Sequence, residues 1–123
     1  MGRLEGKIAL ITGGASGLGA QMGRRFTEEG ATVIVNDLRE SDAEAMAAEL
    51  GAGSMGVGFD VSDSAAVQAG FKAVAERFDR LDILVNNAGI GVDSPDEERA
   101  ERERKTFQQL GEITAGDPVQ TFI

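Results

Sequence analysis

A glycine-rich segment, Thr12–Gly19, lies between an apolar run and a stretch with helical periodicity, and few folds accommodate that arrangement. The run Lys7–Thr12 is typical of a short buried strand, and Leu18, Met22 and Phe26 recur at the four-residue spacing of an inner helix face. Glycine permits a sharp turn and a close approach of the backbone to another group. Because N–H groups at a helix start attract anions, this glycine loop (Thr12–Gly19) predicts a phosphate-binding turn.

Three glycines of the glycine loop have separate expected tasks. Gly13 permits the turn out of the strand, Gly17 leaves room for a pyrophosphate, and Gly19 lets the helix pack close to the sheet. No Lys-Ser or Lys-Thr pair follows, so the pattern does not predict the P-loop of a nucleoside triphosphatase. The alternative for the same residues is a structural turn that binds no ligand.

Apolar runs alternate with helical stretches along the first 90 residues. Further strands are predicted at Thr32–Asn36, Met55–Phe59 and Leu81–Asn86. This alternation predicts an α/β fold, a Rossmann-type doubly wound parallel sheet in a three-layer α/β/α arrangement. Right-handed crossovers give strand order 3-2-1-4, the first half of such a sheet. The strand Leu81–Asn86 is then expected at an edge, where it invites pairing with another chain.

Polar residues mark the expected helix starts. Ser41 is predicted to cap a second helix that ends at Leu50, and Ser62 or Asp63 is predicted to cap a third. Asp60 is a further candidate for that third cap.

Composition excludes several function classes. The chain has no Cys and no His, which removes disulfides, thiolate metal sites and the commonest general base, and we expect no metal site. The net charge of −9 disfavours nucleic acid and anionic membranes as partners. The polar start Met1–Lys7 is not typical of a signal peptide, and no apolar run reaches the length of a membrane span, so we expect a cytoplasmic protein.

The spacing Thr-Gly-x-x-x-Gly-x-Gly in the glycine loop resembles the short-chain dehydrogenase/reductase family. Asp60-Val61 after the third strand and Asn86–Gly89 after the fourth match two further motifs of that family, and Leu81–Val85 matches the usual lead-in. The resemblance covers Gly6–Gly89. It implies a nicotinamide dinucleotide as partner and, for the complete protein, hydride transfer to or from a small alcohol or ketone.

Loop chemistry and the resemblance together assign the cofactor-binding residues. Asn86 is assigned to structure as much as to binding. The assigned residues are Gly13, Ala15, Ser16, Gly17, Leu18, Gly19, Asp37, Leu38, Asp60, Val61, Asn87, Ala88 and Gly89.

Asp37 favours NAD(H) over NADP(H). It ends the second apolar run 18 residues after Gly19 (37 − 19 = 18), where a carboxylate accepts hydrogen bonds from the ribose hydroxyls and repels a 2′-phosphate. Ser16 stands where NADP-using relatives often carry a basic residue, and Arg39 lies beyond the unfavourable carboxylate. The alternative for Asp37 is a simple strand-end turn residue.

No catalytic residue is assigned. The resemblance implies a proton-donating Tyr, helped by a Lys, a Ser and an Asn, but the sequence contains no Tyr. After Gly89 the remaining candidates are Ser94, which suits a helix cap, and Lys105, which lies in a charged stretch. Enzyme activity is therefore expected of a full-length parent and not of these 123 residues alone.

The chain divides into residues 1–92, the NAD-binding half, and residues 93–123, a charged helical segment followed by the start of a second half. Ser94-Pro95 begins the predicted helix, Asp117-Pro118 ends it, and Val119–Ile123 is apolar. We expect a truncated dehydrogenase that forms a homo-oligomer when completed. The alternatives are a non-catalytic NAD(H)-binding half-domain that acts as a sensor or partner subunit, and another user of the sheet such as a nucleotide-sugar epimerase or methyltransferase.

Overall fold

The computed structural model describes residues 2–51, 53–87 and 120–122, the last three by their backbone alone. Strands and helices alternate through the first two of these ranges, as the sequence predicts. They are β1 (Ile8–Ile11), α1 (Gly17–Glu28), β2 (Thr32–Asp37), α2 (Glu40–Leu50), β3 (Met55–Gly58), α3 (Ser64–Arg77), β4 (Ile83–Val85) and β5 (Gln120–Phe122).

All strand pairs of the sheet are parallel, in the order β3-β2-β1-β4-β5. The predicted Rossmann-type order 3-2-1-4 is confirmed. The expectation that the fourth strand forms an edge is wrong, because β5 pairs with it and sets Leu84 opposite Thr121. A short apolar strand reaches a fully paired position when a later segment of the chain supplies the missing backbone hydrogen bonds.

The sheet is buried on both faces because successive side chains of a strand point in opposite directions. Leu10, Ile34 and Leu84 point to one face and pack with α3 residues such as Val67 and Phe71. Their neighbours along the same strands point to the other face, where they pack with α1 and α2; these include Ala9, Ile11, Val33, Val35, Ile83 and Val85. This two-sided burial produces the three-layer arrangement.

Strand β3 lies unusually close to α2. A Cβ added to Gly58 would lie 2.7 Å from the backbone nitrogen of Glu40, and one added to Gly56 would lie 2.5 Å from the carbonyl carbon of Ala43. These separations are shorter than carbon atoms tolerate, so any side chain at either position would force the helix away. Helix α2 therefore rests on the backbone of β3.

The helix starts differ from the sequence prediction in one case. Helix α2 begins at Glu40 with Arg39 as its N-cap, so the prediction that Ser41 caps it is wrong. Arg39 has extended backbone angles and its carbonyl accepts from Ala43 N at 3.1 Å, which places Ser41 inside the first turn. Asp63 caps α3 as predicted, with its side chain accepting from Ala66 N at 3.2 Å.

Within the part of the chain that the structure describes, no helix combines the length and apolar character needed to cross a membrane. The predicted charged helix that begins at Ser94 lies outside the described residues, as do Ala88 and Gly89.

Candidate functional site

The loops that follow β1, β2, β3 and β4 all emerge at one edge of the sheet, because parallel strands end at the same side. The glycine loop follows β1, and Asp37 is the last residue of β2, with Leu38 after it. Asp60-Val61 and Asn86-Asn87 follow β3 and β4. In open α/β sheets this edge is where ligands bind. The fold thus gathers the described members of the predicted site into one region.

The glycine loop has the backbone conformation that its glycines were expected to provide. Gly13 and Gly17 have φ angles of +63° and +55°, which residues with a Cβ rarely adopt. A Cβ added to Gly19 would lie 2.8 Å from Nδ2 of Asn87, so this position admits no side chain. At Gly17, by contrast, an added Cβ would meet no atom within 4 Å and would project into open space. That open space beside Gly17 can receive a ligand group.

Helix α1 begins within the glycine loop and points its start at that space. Its first internal hydrogen bond runs from Ala20 N to Ser16 O, at 3.2 Å. The N–H groups of Gly17, Leu18 and Gly19 therefore precede the helix's own hydrogen-bond ladder. Ser16, the N-cap, makes no side-chain capping hydrogen bond. Such N–H groups, at the positive end of the helix dipole, are suited to phosphate oxygens.

Asp37 is fixed by two backbone donors at the end of β2. Its Oδ2 accepts from Ala15 N at 3.1 Å, and its Oδ1 accepts from Leu38 N at 2.8 Å. The carboxylate is therefore attached to the glycine loop as well as to its own strand. Each oxygen of an ionised carboxylate has a second lone-pair direction, so Asp37 can still accept hydrogen bonds from a ligand's hydroxyl groups.

A cleft of about 440 Å³ lies beside Asp37, between the glycine loop and α2. Its size falls within the range usual for small-molecule sites. Its lining residues are Ala15, Ser16, Asp37, Asp42, Ala45, Met46 and Glu49.

Asn36 contributes to the site in a way that the sequence did not indicate. Its side chain is 1% exposed, and Nδ2 donates to the carbonyls of Val57 and Phe59, each at 3.2 Å. Its own carbonyl accepts from Gly14 N at 2.8 Å. One buried residue thus joins the glycine loop, β2 and the loop that leads to Asp60. The sequence feature that could have revealed this role is the amide side chain of Asn36 near the end of an otherwise β-branched run.

Asn87 and Thr12 connect β4 to the glycine loop. Thr12 is fully buried, and its Oγ1 donates to Val85 O at 3.3 Å and accepts from Asn87 N at 3.0 Å. Asn87 Nδ2 donates to Gly13 O at 3.2 Å. The side chain that the sequence assigned to the cofactor therefore has a structural contact as well. In Asn86, the amide oxygen Oδ1 is buried and has no hydrogen-bond partner among the described residues.

Asp60 does not cap α3. Its Oδ1 accepts from the N–H and the hydroxyl of Ser62, at 2.9 and 2.7 Å, which forms a local turn ahead of the helix. Val61 is 4% exposed and its side chain packs in the core beside α3. A ligand at this position could therefore contact Val61 through its backbone, not through its side chain.

Two leucines of the predicted site stand out by their exposure. Leu18 is 67% exposed and Leu38 is 68% exposed, and they are the exposed large apolar side chains among the described residues. Leu18 lies in the glycine loop and Leu38 follows Asp37. Exposed apolar side chains offer contact area to the flat rings of a nucleotide. The open space at Gly17 and the two exposed leucines fit a dinucleotide at this edge.

The parallel order, the glycine loop and the acidic end of β2 define a Rossmann-type α/β protein. The family model described as short chain dehydrogenase matches residues 7–115. The chain belongs to the short-chain dehydrogenase family.

Several members of the family are similar over most of this chain. D-threitol dehydrogenase of Mycolicibacterium smegmatis is 48% identical over 99 residues, covering 78% of this chain and 38% of the relative. The 3-hydroxyacyl-CoA dehydrogenase type-2 of Bos taurus is 36% identical over 119 residues, covering 97% and 46%. A crystal structure of 3-ketoacyl-(acyl-carrier-protein) reductase from Brucella melitensis, complexed with NADH, superposes with a TM-score of 0.68 at 38% identity, covering 90% and 48%. The chain therefore spans less than half the length of each of these relatives.

Proposed function

We propose that this chain is the NAD(H)-binding part of an oxidoreductase that transfers hydride between NAD(H) and an alcohol or ketone. The observation that carries the proposal is the position of Asp37, fixed by Ala15 N–H beside the open space at Gly17. A carboxylate there would accept the ribose hydroxyls while the helix start faces the phosphates. The similarity to a reductase solved with NADH supports the same ligand class.

Each described residue of the site has a defined part in this proposal. Gly17, Leu18 and Gly19 would offer N–H groups to the pyrophosphate, and Asp37 would hold the adenosine ribose. We assign Ser16, Leu38, Asp60 and the backbone of Val61 to the adenosine side, and Asn87, with Ala88 and Gly89, to the nicotinamide side. Bound NAD(H) would supply the hydride.

We propose that the proton donor of the reaction lies outside these 123 residues. The sequence contains no Tyr, and the chain spans 38% of D-threitol dehydrogenase. The complete protein would then be about twice as long and would supply the substrate pocket. A non-catalytic NAD(H) sensor remains the alternative, and no observation specifically favours it.

Titration with NADH tests the proposal. The fluorescence of the reduced nicotinamide, excited at a wavelength that the protein does not absorb, follows binding directly. We expect saturable binding to the wild type and an affinity at least about tenfold weaker for Asp37→Ala, because charge-assisted hydrogen bonds are lost. The exposed Asp79→Ala is the matched control, since it removes the same charge from the loop between α3 and β4. Equal affinities for wild type and Asp37→Ala would disprove the role of Asp37.

A further inference from the structure

One face of helix α2, which carries two acidic residues, lines the cleft beside Asp37. Asp42, Ala45, Met46 and Glu49 line the cleft, at spacings that place them on a single face of the helix. Both acidic side chains are exposed. With Asp37 on the opposite wall, the cleft has three carboxylates and no basic residue in its lining.

Glu49 also engages the nearest cation of the neighbouring helix. Arg24 of α1 extends a guanidinium nitrogen to within 3.3 Å of both Glu49 oxygens. The two side chains are 50% and 56% exposed, so water screens the pair and it contributes little to stability. The pair directs Arg24 at Glu49 and offsets part of the charge of both side chains, so Glu49 acts on the cleft more weakly than Asp42.

We propose that Asp42 and Glu49 are specificity-determining residues that exclude a phosphate group from the adenosine ribose. The inference rests on the proposed function, because it requires the ribose of NAD(H) to lie against Asp37. A phosphate on the 2′-oxygen of that ribose has to occupy the space beside Asp37. It would carry between one and two negative charges at neutral pH and would meet carboxylates on both walls.

The inference separates the roles of the two walls. Asp37 makes hydrogen bonds to the ribose hydroxyls, so its substitution weakens the binding of both NADH and NADPH. The same substitution removes part of the repulsion that acts on the 2′-phosphate of NADPH. Asp42 and Glu49 act through charge, so they weaken the binding of NADPH, which carries the additional 2′-phosphate, more than that of NADH. From Coulomb's law at the dielectric of a protein surface, we expect the two residues together to lower NADPH affinity about tenfold relative to NADH affinity. Asp37→Ser by itself should therefore leave a residual preference for NADH.

Salt distinguishes repulsion from a steric effect. Exposed charges are screened over about 10 Å at 0.1 M ionic strength and over about 3 Å at 1 M. We therefore expect the NADH preference contributed by Asp42 and Glu49 to shrink as salt is added. A preference due to the shape of the cleft would not respond to salt.

The experiment compares the dissociation constants of NADH and NADPH for four forms of the full chain. These are the wild type, D37S, the triple variant D37S/D42N/E49Q, and the control D37S/E44Q. Glu44 is exposed on the same helix but does not line the cleft. Its substitution by Gln therefore removes one negative charge from a face of the helix that lies outside the cleft. We expect the NADH preference to fall in D37S and to fall about tenfold further in the triple variant, but not in the control.

A second variant keeps the test valid if D37S fails to fold. D42N/E49Q leaves both hydrogen bonds of Asp37 intact, and it should raise the affinity for NADPH more than the affinity for NADH. The inference is overturned if D37S alone abolishes discrimination, or if the cleft substitutions behave like E44Q. A wild type that binds neither nucleotide overturns the proposed function and this inference together, whereas normal NADH binding without an effect of D42N/E49Q overturns this inference alone.

Discussion

The side-chain amide of Asn87 donates to the carbonyl oxygen of Gly13 across 3.2 Å, and it thereby joins the end of β4 to the glycine loop. The contact spans 74 positions of sequence. It holds the turn of Gly13 against the neighbouring strand, on the side of the glycine loop opposite to Asp37.

Removing that amide should loosen the glycine loop. We expect Asn87→Ala to lower the free energy of unfolding by about 1–2 kcal/mol, because the Gly13 carbonyl loses its partner. NADH affinity should fall as well, since the loop that would bind the pyrophosphate is less fixed. Urea denaturation and NADH titration measure the two effects. Gln68→Ala, on the exposed face of α3, should change neither, and an Asn87→Ala chain that matches it in both would contradict the prediction.

Two glycines with similar backbones separate folding from ligand binding. Gly17 and Gly6 have φ of +55° and +76°, and an added Cβ meets no atom within 4 Å at either. Substitution of either glycine by alanine should therefore lower the free energy of unfolding by about 1–2 kcal/mol, because the backbone becomes strained. Only at Gly17 would the methyl group enter the proposed phosphate site. We expect Gly17→Ala to weaken NADH binding and Gly6→Ala to leave it unchanged, and equal affinities in the two variants would argue against phosphate binding at Gly17.

The buried amide of Asn36 should be a large contributor to stability. Asn36→Leu leaves the carbonyls of Val57 and Phe59 without their donor, and we expect a loss of about 2–4 kcal/mol in urea denaturation. Asn36→Asp should be comparably damaging because a carboxylate cannot donate when ionised. Gln21→Leu makes the same change of polarity on an exposed face of α1 and should stay near wild type. A small effect at Asn36 would show that water replaces the amide.

We expect the Glu29 carboxylate to make the free energy of unfolding depend on pH in the acid range. The hydrogen bond from Arg3 N–H lowers the pKa of the Glu29 carboxyl below its ordinary value, desolvation opposes this, and the charge of Arg25 acts in the same direction as the hydrogen bond. A lowered folded-state pKa means that the stabilisation is present above the unfolded pKa and is lost as the pH falls through the folded one. The stability difference between wild type and Glu29→Gln should thus be largest at neutral pH and vanish at strongly acid pH.

Urea denaturation at several pH values measures that difference. Glu28→Gln is the control for Glu29→Gln, because Glu28 pairs with Arg25 but receives no bond from the N-terminal segment. A difference that stays constant with pH would contradict the assignment.

Much of the fold was predictable because it depends on local patterns and on chain handedness. The alternation of strands and helices predicts a parallel sheet, and right-handed crossovers then fix the order 3-2-1-4. The pairing of β5 with β4 was not predictable from the same rules. Its strand lies more than 30 positions beyond β4, and no local pattern specifies where such a segment returns.

The candidate site was predictable in outline, and its internal connections were not. The glycine loop is recognisable because backbone conformation restricts which residues can stand at Gly13 and Gly17. Asp37 is recognisable because a carboxylate ends the second apolar run. The bonds from Asn36 to Phe59 and from Asn87 to Gly13 depend on which loops meet in space. Ser41 shows the same limit at short range, since the preference of Ser for helix starts is weaker than the backbone geometry set at Arg39.

The contact of α2 with the bare backbone of β3 at Gly56 and Gly58 has a consequence for how such a protein can change its preference for cofactors. Main-chain atoms set the distance between α2 and the sheet, so substitutions elsewhere in the core should change that distance little. Residues on the solvent-facing side of α2 can therefore be substituted without repacking the contact between α2 and β3. Descendants of this sequence could therefore exchange one nucleotide for another through surface substitutions on a fixed scaffold.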